Sequence, residues 1–176
     1  FMLQVEGGRG SWSGFTDLTY VSTSDTTERA LLTVDAENEQ ILVDAAVAYW
    51  PNGVGSPLSL FGGIRYSGLD SRYRISLDDT ELGTQRSGEN YTDVLLGVRY
   101  RFDLADRWSL LARADYSAGD SEGSFLLRAN LAYAVGQRQQ NRFIFGYQHR
   151  QAEYRDGDLT LDMRLSGFVA GYSFRF

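Results

Sequence analysis

The sequence predicts an all-β chain, a transmembrane antiparallel up-and-down β-barrel of about eight strands, and three observations predict it. Apolar and polar residues alternate with a period of two along most of its 176 residues, which marks half-buried strands. Aromatic residues stand at the ends of the apolar faces. Acidic and basic residues share the opposite faces in near balance.

The strands can be taken in order. Trp12–Tyr20 is apolar on one face and carries Asp17 on the other. Ile41–Tyr49 sets Ile41, Val43, Ala45, Val47 and Tyr49 against Asp44. Leu58–Tyr66 sets Leu58, Leu60, Ile64 and Tyr66 against Ser59, Phe61, Gly63 and Arg65. Thr92–Phe102 sets Val94, Leu96, Val98, Tyr100 and Phe102 against Asp93, Leu95, Gly97, Arg99 and Arg101. Trp108–Tyr116 carries Arg113 and Asp115 opposite Leu110, Ala112 and Ala114. Phe125–Val135 carries Arg128 and Asn130 opposite Leu127, Ala129, Leu131 and Tyr133. Phe143–His149 alternates Phe143, Phe145 and Tyr147 with Ile144, Gly146 and Gln148. The last strand alternates Phe168, Ala170, Tyr172, Phe174 and Phe176 with Val169, Gly171, Ser173 and Arg175. Strands of roughly 9–12 residues suit a tilted crossing of a bilayer. A single domain over residues 1–176 is expected, with 1–10 as a flexible lead-in, since Gly7-Gly8-Arg9-Gly10 lacks the Lys and Ser/Thr of a phosphate loop.

The connections are expected to alternate in length. Pro51–Ser56, Asp103–Arg107 and Gly136–Asn141 read as short turns, whereas Thr23–Asn38 and Leu69–Asn90 read as long polar loops, with alternating pieces such as Tyr73–Leu77 where strands can run on past the membrane. Ala118–Glu122 and Arg155–Asp158 read as short loops at that second end. Short turns on one side and longer loops on the other suit an outer-membrane barrel.

Composition narrows the function. The formal charge of −6, from 23 acidic and 17 basic residues, argues against a nucleic-acid partner, which needs a basic face. The chain has no cysteine, and every basic residue is Arg. Arg pairs bidentately with carboxylates and phosphates, so an all-Arg set fits buried ion pairs or phosphate contacts. The longest apolar run, Ala45 to Trp50, falls far short of the ~20 residues of a spanning helix.

Periodicity alone does not tell which face points outward, because a soluble barrel alternates too. The aromatic termini do: Trp12, Tyr20, Tyr49, Tyr66, Tyr100, Trp108, Tyr116, Tyr133, Tyr172 and Phe176 read as the two girdles of a membrane barrel. The opposite face then supplies a lumen network of Asp17, Asp44, Arg65, Asp93, Arg99, Arg113, Asp115, Arg128 and Arg175. Turning one strand over would place Arg99 in lipid, at about 2–4 kcal/mol near the midplane.

The terminal Tyr172-Ser173-Phe174-Arg175-Phe176 resembles the closing-strand signal of bacterial outer-membrane barrels, which the barrel-assembly machinery reads. The segments Asp93–Trp108 and Ser166–Phe176 resemble a broad group of small, mostly uncharacterised Gram-negative barrels, and the general shape is similar to OmpA- and OmpX-type eight-stranded barrels. The resemblance implies an outer-membrane location, contact with membrane lipids and lipopolysaccharide, and no activity.

Three chemistries are weighed on this frame. His149, the only histidine, lies on an outward face. A hairpin turning at Arg155–Asp158 would put it opposite Arg164, with Asp162 and Ser166 diagonal to it. A lipid A-modifying hydrolase needs such a nucleophile, base and orienting acid, but a lipopolysaccharide contact by His149 and Arg164 is the simpler expectation. A narrow channel is the second, opposed by a lumen just wide enough for side chains to fill. Cation binding by loop acids is the third. Asp78, Asp79, Glu81 and Glu89, or Asp156 and Asp158, lack the Gly and Glu of a defined calcium loop. The expectation is a non-enzymatic envelope protein with a structural or interaction role, without metal or cofactor, binding a surface partner through its loops.

Overall fold

The computed structural model describes residues 1–29, 32–77, 80–136, 141–156 and 159–175, and the side chains of 1–22, 39–70, 87–136, 141–153 and 163–174. Nine strands follow in chain order: β1 (Met2–Arg9), β2 (Trp12–Arg29), β3 (Leu32–Tyr49), β4 (Leu58–Leu77), β5 (Thr80–Ala105), β6 (Trp108–Gly119), β7 (Gly123–Val135), β8 (Asn141–Asp156) and β9 (Leu159–Arg175). Each pairs with its sequence neighbours, and β1 meets β9 to close the barrel.

Two expectations are corrected here. The barrel has nine strands, not eight, and residues 1–10 are no lead-in. Met2–Arg9 pairs residue by residue with Trp12–Thr19. Within it Met2 and Glu6 are buried while Val5 is exposed, so the period of two runs through the segment despite its glycines. Gly8 is required by the hairpin itself, since a Cβ there would collide with Ser13 and the Trp12 carbonyl. Gly10 turns the chain at φ +65°, a left-handed conformation that glycine adopts without steric cost. An odd number of strands in a meander also forces the first and last to run the same way. The closure is therefore parallel, Met2–Glu6 against Gly171–Arg175, and every other seam is antiparallel.

The stretches expected to be long loops are also mostly strand. β2 and β3 pair without interruption from Trp12↔Tyr49 to Arg29↔Leu32. β4 and β5 pair to Leu77↔Thr80, with one irregularity at Ile75/Ser76. Backbone hydrogen bonding continues past the point where the apolar alternation ends, and that alternation was the signal used to define strands.

The turns after Arg9, Tyr49, Ala105 and Val135 lie at one end, called the Trp50 end below. Those after Arg29, Leu77, Gly119 and Asp156 lie at the other. The two faces of the wall differ sharply. On β5, Val94 and Leu96 are 64% and 65% exposed, while Asp93 and Leu95, which alternate with them, are buried. On β4, Ile64 is exposed beside Arg65, which is wholly buried. Large apolar side chains thus cover the outside and charged ones the inside.

Glycine permits two of the closest approaches inside. A Cβ on Gly97 would strike the Phe61 ring and Asp115, and one on Gly146 would strike Asn130. Small residues on the charge-bearing face make room for the side chains that fill the lumen.

Candidate functional site

The lumen is the chemically distinctive region. At its centre six charged side chains from five strands interlock. Arg65 of β4 donates from Nε and Nη2 to the two carboxylate oxygens of Asp44 at 2.8 and 2.9 Å. Its Nη1 lies 2.9 Å from Asp115 Oδ1, a close ion pair whose alignment is too poor for a hydrogen bond. Arg113 of β6 reaches three acids: Nη1 to Asp17 at 3.0 Å, Nη2 to Asp44 at 2.5 Å and Nε to Asp115 at 2.6 Å. Arg128 of β7 shares the same Asp17 oxygen at 2.7 Å. Three guanidiniums and three carboxylates therefore neutralise one another. Each charge needs this company, because an unpaired ion in a dry interior costs several kcal/mol.

Toward the Trp50 end the filling turns aromatic. Phe15, Trp50, Phe61 and Leu95 form a buried apolar cluster with Ala46 and Ala48. The Arg99 guanidinium lies 4.3 Å above the Phe15 ring, 5.4 Å from that of Trp50 and 5.6 Å from that of Phe61. A guanidinium is attracted to ring faces at this range. Trp50 Nε1 donates to Ser13 Oγ at 2.8 Å, Ser13 donates to Glu6 at 2.7 Å, and Arg99 donates to Glu6 at 3.1 Å. The 50–57 turn folds across this end. The Trp50 amide bonds the Ser11 carbonyl and the Val54 amide bonds the Gly10 carbonyl, at 2.8 and 2.7 Å. Gly53 and Gly55, at φ +88° and +98°, allow the inward fold.

The opposite end is lined by hydroxyls. Asp93 accepts from Ser117 Oγ and from the Ser121 amide and hydroxyl, at 3.1, 3.0 and 2.7 Å. Arg150 donates to Ser124 and Ser67 at 2.9 and 3.1 Å.

The structure thus places Asp17, Asp44, Arg65, Arg113, Asp115 and Arg128 in one cluster, Arg99 in a second layer and Asp93 in a third. The side chains of Arg175 and Phe176 lie outside the described residues. Glu6, Trp50 and Arg150 were missed. Glu6 sat in the supposed lead-in, Trp50 in a turn, and Arg150 one step beyond the strand drawn to His149. Continuing the alternation from Gln148 would have found Arg150.

Of the aromatic set, Trp12, Tyr49, Tyr100 and Trp108 are exposed near the Trp50 end, and Tyr20, Tyr66 and Tyr116 near the other. Tyr133 and Tyr172 are half-buried, Tyr133 against Trp108 at 4.8 Å and Tyr172 against Phe143 at 4.9 Å between ring centres.

On the outer wall the hairpin register differs from the expected one. His149 is paired with Ser166, Gln151 with Arg164 and Glu153 with Asp162. The connection after Asp156 is shorter than assumed, which moves every pair by two positions. His149 Nδ1 lies 2.6 Å from Ser166 Oγ. No carboxylate among the described residues pairs with His149, and the Asp162 side chain lies outside them. Asp78, Asp79 and Asp158 lie outside the described residues, as do the side chains of Glu81 and Asp156, while Glu89 accepts a hydrogen bond from Tyr91. Among the described residues no group of three or more acidic or histidine side chains could hold a metal ion.

No protein-family model matches the chain, and no curated protein or solved structure matches it either. What is established is a closed, all-β barrel with buried charge and an apolar exterior.

Proposed function

We propose that the chain is an integral outer-membrane β-barrel whose filled polar lumen makes it a structural or interaction component of the bacterial envelope. One observation carries the reading: the wall is inverted in polarity, with Arg65 and Asp44 fully buried and Val94, Leu96 and Phe168 at 64%, 65% and 78% exposure. A soluble monomer does not expose an apolar belt of this extent to water, whereas acyl chains solvate it. The aromatic residues at both ends of that belt would sit at the two headgroup layers. His149 and Arg164 on the outer wall would meet lipopolysaccharide. The barrel-assembly machinery would insert the chain, and the extended hairpins would present a surface to other partners.

The test is extraction. The chain should stay in alkaline-washed membranes and need detergent to remain monodisperse; a monodisperse monomer in plain buffer would end the proposal. Leu96→Arg should destabilise the barrel in vesicles by about 2–4 kcal/mol, read by urea unfolding, and should cost much less if water bathes that face.

The filled lumen favours a plug over a pore, so reconstituted protein should give no steady single-channel conductance. The His149–Ser166 contact favours one further reading, a lipid A-modifying hydrolase. Such an enzyme needs an orienting acid beside the histidine. It would lose a lipid A product, seen by mass spectrometry, in His149→Ala.

A further inference from the structure

Four consecutive strands each send arginine inward between the centre of the lumen and the Trp50 end: Arg99 and Arg101 on β5, Arg113 on β6, Arg128 on β7 and Arg142 on β8. They line one wall of a cavity of about 70 Å³, closed on another side by Trp50 and Pro57. Only two carboxylates face it, Glu6 of β1 and Asp17 of β2. Arg113 is met by Asp17, Asp44 and Asp115, Arg99 by Glu6 and Arg101 by Asp103, so the shortage of acceptors centres on Arg128, beside which one oxygen of Asp17, Oδ1, is buried without a donor.

Arg128 shows the shortage directly. Its side chain is 4% exposed. Nη1 shares Asp17 Oδ2 with Arg113 and also points at the Met2 sulfur, 3.0 Å away. A thioether is a weak acceptor. Nη2 reaches Thr19 at a long 3.3 Å. Nε is buried without any acceptor. A buried guanidinium ordinarily has its N–H groups met by oxygen, so this one points to an oxygen-bearing ligand. Asn130, also on the cavity, has its side-chain oxygen buried and unpartnered. Turning that amide over, which exchanges nearly indistinguishable atoms, would aim two more N–H donors inward.

Size narrows the choice. The space is larger than a single water needs and has room for a tetrahedral oxyanion. Guanidinium forks match phosphate and carboxylate oxygens in geometry and charge. Arg101, partly exposed at this end, stands where an anion would enter.

We propose that this cavity binds one small tetrahedral oxyanion, with inorganic phosphate as the probe, held by Arg128 and its arginine neighbours. The proposal concerns the interior and does not depend on what surrounds the barrel. The test is equilibrium dialysis of the full chain against radiolabelled phosphate, in lipid-free non-ionic detergent, with chloride holding ionic strength constant. The expected result is saturable binding of one phosphate per chain. Asn130→Asp would put a carboxylate of the protein's own in the cavity and should weaken binding at least tenfold. Arg107→Gln, in the exposed turn after Ala105, should leave it unchanged. Absence of saturable binding to the native chain overturns the site, and so rules out free phosphate as opposed to a lipid headgroup. Binding lost in Arg107→Gln but kept in Asn130→Asp would move it to the exterior and equally overturn it. If Asn130→Asp does not refold, the Arg128 Nε–H resonance of the native chain decides instead. Added phosphate must shift it, and an unmoved signal refutes the proposal.

Discussion

Arg113 and Arg99 are inward on neighbouring strands, yet the lumen houses them by different means. Arg113 sits at the centre among Asp17, Asp44 and Asp115, with the Phe61 ring at 4.9 Å and the Phe15 ring at 5.8 Å as lesser company. Arg99 has one carboxylate, Glu6, and three aromatic rings. The first environment compensates charge with charge, one cation touching three acids that Arg65 and Arg128 also serve. The second spreads the compensation over ring faces and one acid, in a layer where apolar packing already holds the wall together. Loss of either arginine removes one positive charge, but the groups left behind differ.

That contrast orders the expected effects. Arg113→Met should be the most damaging, at about 3–5 kcal/mol, because it strands buried carboxylates. Urea unfolding in detergent micelles would measure it, and a cost below about 1 kcal/mol would mean the cluster is wet rather than dry. Arg99→Met should cost about 2 kcal/mol, from one charged hydrogen-bonding partner and the ring contacts. A cycle with Phe15→Leu should recover a coupling of about 0.5–2 kcal/mol; zero coupling would reduce the stack to mere proximity. Arg101→Gln should fall below about 1 kcal/mol, since its partner Asp103 is 64% exposed. If it matched Arg113→Met, the layering of the lumen would have no energetic meaning.

Much of this wall was legible from the sequence because the side-chain period of a strand is two and needs no knowledge of the fold. The inward faces holding Asp17, Asp44, Arg65, Arg113 and Arg128 could be drawn strand by strand. Their partners could not. Arg113 and Asp17 are 96 residues apart, on strands that touch only across the lumen, so the pairing exists only once the barrel has closed. β1 was hidden by its glycines, which suggested a loose segment where the hairpin needs close approach. The extensions of β2 to β5 showed in the sequence only as scattered alternating pieces such as Tyr73–Leu77, because backbone pairing continues where sustained apolar alternation stops. The His149–Ser166 contact depended on a turn two residues tighter than the polar cluster Arg155–Asp158 suggested.

The clasp between the 50–57 turn and the Gly10–Ser11 turn bears on assembly. Its partners, with Phe15, Ala48, Trp50 and Phe61 above them, come mostly from the first four strands. Contacts between segments close along the chain form sooner than distant ones. The base of the cylinder can therefore be laid down before β5 to β9 arrive, with the early hairpins as a template onto which the later ones zip in sequence.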